Sequence, residues 1–166
     1  MSTFFERVAR LPMAWRLAGF FFAFSLVSGA SFLTFRGGGK SFSLGYLFNL
    51  GHVPLYGLLA FQVLLLQGPH APRRAFNWSL VLLLILVTGL ADEWHQGFME
   101  GRTSSLADIG SDLLGALIAL NLARWAATPG ASRREGVHLL LLAAAAMLFW
   151  GFVPVFAPVA LPRFLP

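Results

Sequence analysis

The chain contains no cysteine. That excludes disulfides, thiol nucleophiles and cysteine-ligated metals, and leaves the redox character of the compartment open. Charge is also scarce: charged residues make up 11% of the 166 positions, against about 25% in an ordinary soluble domain. What remains is apolar, with 57% hydrophobic residues and a mean hydropathy of +0.72. A chain this short and this apolar has no room for a soluble domain beside its membrane part. It reads as one unit, residues 1–166, an all-α polytopic transmembrane bundle. The net charge of +5 would suit nucleic acid. However, the Lys and Arg residues flank apolar runs and form no patch with interleaved aromatics. Basic residues in that position set topology and meet anionic headgroups. The expected partners are therefore membrane lipids and not nucleic acid. No cofactor is implied, and oligomeric state is left open.

A spanning helix needs about 20 mostly apolar residues. Five stretches qualify: 15–35, 47–67, 76–91 with helix continuing to 96, 106–127 and 137–161. Pro154, Pro158 and Pro162 interrupt the last one, so it is expected to be kinked or partly interfacial. The first has a rival reading as a signal peptide, with Arg7, Arg10 and Arg16 as its basic region and Ser28-Gly29-Ala30 as a cleavage site. The apolar run continues through Phe32 to Phe35, which favours a retained span. With the N-terminus inside, Arg7, Arg10, Arg16, Arg73, Arg74, Arg124, Arg133 and Arg134 are cytoplasmic. Arg36, Lys40, Arg102 and Arg163 are then external, and this imbalance favours that orientation. Short connections make consecutive helices antiparallel neighbours. Ser111, Gly115, Ala119 and Ala123 form a four-residue stripe of small side chains on the fourth span, expected to be a packing face. Gly37-Gly38-Gly39-Lys40-Ser41 imitates the end of a phosphate-binding loop. Thr34 stands where that pattern needs glycine, and no strand precedes it.

Five of the seven acids lie in one stretch: Asp92, Glu93, Glu100, Asp108 and Asp112. It covers the end of the third span, a loop and the start of the fourth. Antiparallel packing brings the start of the second span, with His52, to the same membrane face. Asp92, His95 and Gln96 share one helix face by their spacing, and Asp108 and Asp112 share another. Acids at a helix C-terminus oppose the helix dipole, so Asp92 and Glu93 need a partner: Arg102, a protonated His, a metal or a proton. Asp108 lies in a first turn, where an acid is favoured by about 0.3–1 kcal/mol. Asp112 is one turn deeper, about 6 Å, where a charged carboxylate begins to cost free energy. It is the acid least explained by local structure. A lone His in an apolar segment, such as His52, is ordinarily a hydrogen-bonded interior residue. No metal-ligand spacing is present, so no metal site is expected.

The run Asp92-Glu93-Trp94-His95-Gln96, followed by Gly101-Arg102-Thr103-Ser104-Ser105 and Asp108-Ile109-Gly110-Ser111-Asp112-Leu113-Leu114-Gly115, resembles the signature of the VanZ-like membrane proteins. That signature reads D-E-x-x-Q, then G-R-x-x-S, then D-x-x-x-D/N-x-x-G. His52 and Tyr56 match a second family element, D-K-x-x-H-F-x-x-Y, and the resemblance covers residues 47–120. Asn49 and Leu50 occupy that neighbourhood without an acidic-basic pair, and Glu100 stands where the family commonly has Pro. A mechanism built on the Asp-Lys pair therefore lacks its residues here. The resemblance implies a small multi-pass protein of the bacterial cell (inner) membrane, in a family whose name-giving member is associated with resistance to the glycopeptide teicoplanin.

Three functions follow as expectations. The first is an envelope factor acting on lipid headgroups or lipid-linked cell-wall precursors. In that case Glu93 or His95 serves as general base, Asp108 and Asp112 orient partners, and Arg102 meets phosphate. His52, Tyr56, Asp92 and Gln96 complete the ligand-binding set. The second is a non-enzymatic structural or partner-binding protein in which the polar cluster staples helices. The third is a proton or cation path, which would need polar groups through the membrane thickness. Gln62, Asn121 and Arg124 are the other strongly polar groups within spans, and they make a poor relay.

Overall fold

The computed structural model describes residues 3–31, 42–98 and 104–156. Arg36, Lys40, Glu100, Arg102 and Arg163 lie outside them, as does the whole Gly37–Ser41 fragment. The described residues form six α-helices and one 3₁₀ turn. These are α1 (Phe4–Ala9), α2 (Met13–Ser31), α3 (Phe42–Gln67), the turn Ala71–Arg73, α4 (Ala75–Gln96), α5 (Leu106–Ala127) and α6 (Arg133–Phe156). In lipid, helices satisfy every backbone donor and acceptor within one segment, which suits sequences that are apolar on all sides.

Among the described residues, four helices are long and apolar enough to cross a membrane: Met13–Ala30, Leu50–Gln67, Ala75–Gln96 and Leu106–Ala127. The fifth expected span coincides with α6 up to residue 156. That helix opens on Arg133, Arg134 and Glu135. Three starts differ from expectation, α6 beginning at Arg133 and not at 137. α2 begins at Met13, and α3 begins at Phe42, ahead of the apolar run, so it holds 26 residues.

α5 is the central helix, packed against α3, α4 and α6, with α2 lying on α3. The α3–α5 crossing is the closest. A Cβ placed on Gly57 would stand 3.0 Å from the Gly115 carbonyl, and one placed on Gly115 would collide with the Val53 carbonyl. Ser111, Gly115 and Ala123 of the small-residue stripe are buried there, so the stripe is the packing face expected of it. Outward, Phe21, Phe22, Leu83, Val87, Leu141 and Phe149 are exposed. Apolar residues on that scale suit a lipid-facing surface and not a watery one.

Hydropathy gives no sign of α1. Thr3 and Glu6 form a reciprocal capping box at its start, and Phe5 and Ala9 are buried. Arg73 holds it in place, donating to Glu6 Oε1 at 3.3 Å and to the carbonyl of Ala127 at the end of α5. Arg16 donates to Leu65 O at 2.9 Å. One end of the bundle thus gathers the start of α2, the ends of α3 and α5, and the starts of α4 and α6. The opposite end gathers His52, the end of α4 and the start of α5.

Candidate functional site

The site begins with the α3–α5 crossing. Because Gly57 and Gly115 let the two backbones approach, His52, one turn before Tyr56, stands beside Asp112, one turn inside α5. His52 Nδ1 and Asp112 Oδ1 are 2.8 Å apart. The Asp112 side chain is 1% exposed and that of His52 19%. The Tyr56 ring lies parallel to the imidazole, with centroids 6.0 Å apart and planes 4° apart. Pro54, inside α3, denies the Leu50 carbonyl its usual helical donor beside His52. The second Asp112 oxygen, Oδ2, reaches α4, where a Cβ on Gly89 would stand 2.6 Å from it. Only a glycine at that position leaves the carboxylate its place.

α4 contributes two acids that point differently. Its inward face is Val81, Ile85, Gly89, Glu93 and Gln96. Glu93 is therefore fully buried, whereas Asp92 lies at the edge of the interior. Spacing alone groups Asp92, His95 and Gln96 on one face. Gln96 does donate to Asp92 Oδ2 at 3.0 Å, and the Tyr56 hydroxyl approaches the same oxygen at 3.5 Å. His95 is partly buried, as is Asp108 in the first turn of α5. Each interacts with neighbouring groups.

The α4–α5 turn closes over Glu93. Its Oε2 accepts from the Ser105 backbone N–H at 2.5 Å, and Ser104 Oγ donates to its backbone carbonyl at 2.8 Å. Ser105 also caps α5, its hydroxyl accepting from Ala107 N–H. Sequence reasoning misses a role for either serine and for Gly89. The Ser105-x-x-Asp108 spacing at a helix start is the available signal for the cap. Gly89, one turn before Glu93, carries none. Trp150 of α6 completes this end by donating to Ala107 O at 3.3 Å.

Of the expected site residues, the structure brings together His52, Tyr56, Asp92, Glu93, Gln96 and Asp112, with His95 and Asp108 at their margin. Arg102 falls outside the described residues. Among the described residues, the buried carboxylate oxygens Glu93 Oε1 and Asp112 Oδ2 find no hydrogen-bond partner. Such an atom costs about 1–3 kcal/mol, so it marks a place where a donor is missing. Among the described residues no group of three or more His, Asp or Glu side chains is set to hold a metal ion. With two open acceptor atoms the cluster can take hydrogen-bond donors from a ligand. No family model matches the chain, and no curated protein or solved structure matches it either.

Proposed function

We propose that this chain is a VanZ-like protein of the bacterial cell membrane. On this reading it acts at the envelope, its acidic end receiving a lipid headgroup or lipid-linked cell-wall precursor. The observation that carries the proposal is the convergence of His52–Asp112 with Glu93, all three within the signature residues, around two buried acceptor atoms that no described residue satisfies. A hydroxyl or ammonium group of a headgroup would supply the missing donors. Arg102 belongs to the same signature, and its planar fork suits the phosphate of such a ligand. The positive-inside imbalance supports an inward N-terminus and an outward acidic end. A link to glycopeptide resistance stands or falls with the same proposal.

A mass-spectrometric profile of envelope lipids and lipid-linked precursors tests it. Cells expressing the wild type are compared with cells expressing Glu93→Gln or Asp112→Asn at matched membrane abundance. The expected result is a species whose level changes only with the wild type. Identical profiles from stably inserted proteins would sink the reading.

One observation favours a second reading, a structural staple. Glu93 and Ser104–Ser105 bind each other twice across the α4–α5 turn, and His52–Asp112 ties α3 to α5. A staple predicts that the same substitutions lower abundance first. A proton or cation path has less support. Asn121 donates to Leu117 O on its own helix, and Gln62 lies against Gly19; neither continues the cluster.

A further inference from the structure

At the end of the bundle opposite the acidic cluster, a groove of about 470 Å³ opens between α5 and α6. Ligand sites commonly span about 300–1,000 Å³. The floor of the groove is Trp125. Its ring lies against the backbone of α6 because Gly136 carries no side chain there, and its indole N–H is spent on Ser132 O at 3.2 Å. Glu135, the acid lining the groove, is engaged in a cap. It accepts from Ser132 N–H, and its own N–H donates to Ser132 Oγ. Thr128 donates to Arg124 O.

Arg124 and His138 differ from these. The Arg124 guanidinium lies 5.9 Å from the centre of the Trp78 ring, a contact that uses its charge and none of its N–H groups. Its place in the last turn of α5 suits the helix dipole, yet the dipole satisfies no donor. Neither Arg124 nor His138 hydrogen-bonds through its side chain to another described residue. Leu139 and Leu142 continue the groove along α6, away from the polar end and into the apolar span. Arg133 and Arg134, at the start of α6, are exposed. The groove therefore joins the unspent donors of Arg124 and His138 to an apolar track along α6.

We infer that this groove is a binding site for an anionic phospholipid, its phosphate held by Arg124 and His138 and one acyl chain lying on Leu139 and Leu142. Basic pockets between membrane helices hold anionic headgroups through the same charge complementarity. The site does not depend on the proposal for the acidic end, and it lies in the leaflet of the basic end.

The test is native mass spectrometry of full-length protein released from nanodiscs of equal phosphatidylglycerol and phosphatidylcholine. Wild type should retain one phosphatidylglycerol in preference to phosphatidylcholine. Arg124→Gln should retain it about fivefold less well, as expected for about 1 kcal/mol per basic group. His138→Gln should also weaken retention, and Arg10→Gln, at the same end but outside the groove, should not. Equal retention of both lipids by wild type would overturn the inference whatever the variants do. So would an equal effect of Arg10→Gln, or displacement of the lipid by millimolar inorganic phosphate alone, which would mark a small-anion site. A second copy of the chain in place of the lipid would overturn it too.

Discussion

Asp112 has one oxygen on His52 Nδ1 at 2.8 Å and the other against Gly89, with no partner among the described residues. A buried pair of this kind is weak evidence of net stability, because desolvation offsets much of the attraction. Removing one member alone is different, since it strands the other. His52→Ala should therefore destabilise the bundle more than the loss of one hydrogen bond explains, and Asp112→Ala likewise. The double variant should cost clearly less than the sum, by about 1–3 kcal/mol. Unfolding of the four proteins in mixed detergent–denaturant micelles measures this coupling. Additive costs would mean that the two side chains are neighbours without being partners. Asp112 is legible in the sequence as the acid least explained by local structure, because its depth in α5 leaves no cap or dipole to account for it. Glu93 is less legible. The sequence offers it as a candidate base, but spacing groups Asp92 with His95 and Gln96 and says nothing of Glu93, which the register of α4 turns to the interior with Gly89 and Ile85.

At the scale of helices, the α3–α5 crossing sets the geometry of the site. A methyl group on Gly115 would meet the Val53 carbonyl, a backbone atom that no rotamer change can move. Gly115→Ala should force the helices apart, with a cost in the range of about 1–3 kcal/mol typical of overpacking, and should weaken the His52–Asp112 pair with it. A methyl group on Gly29 of α2 would have nothing within 4 Å. Gly29→Ala should therefore be neutral or stabilise by up to about 1 kcal/mol. Melting temperatures in one detergent compare the two. Equal effects would show that the crossing is not the tight contact described. The small-residue stripe is readable in the sequence because lipid supplies no hydrophobic drive between helices, so close approach needs small side chains at regular spacing. α1 is not readable from hydropathy, being only six residues long. Its Thr3-x-x-Glu6 cap is the sign of a helix start. The early start of α3 has no comparable signal, because hydropathy marks where the apolar run begins and not where backbone hydrogen bonding does.

For the whole molecule, charge separates along the bundle. The described Arg residues, from Arg7 to Arg134, belong to the end where α5 finishes and α6 begins, and four of the seven acids belong to the other. Antiparallel helices make this separation from a sequence in which the two sets alternate, which is why the clustering can be anticipated from span order alone. The proposed orientation puts the basic end in the cytoplasm. The chain has no cysteine of its own, so single replacements report topology without background. Phe98, at the acidic end, and Arg10, at the basic end, are both exposed. In intact cells a membrane-impermeant maleimide should label Phe98→Cys and spare Arg10→Cys, and permeabilisation should make Arg10→Cys reactive. The reverse pattern would carry the acidic cluster to the cytoplasm, where it could not receive an outer-leaflet headgroup. It would also put the α5–α6 groove in the leaflet poorer in anionic lipid. One labelling experiment therefore bears on both ends: the acidic site needs Phe98 outside, and the groove is best supplied with Arg10 inside.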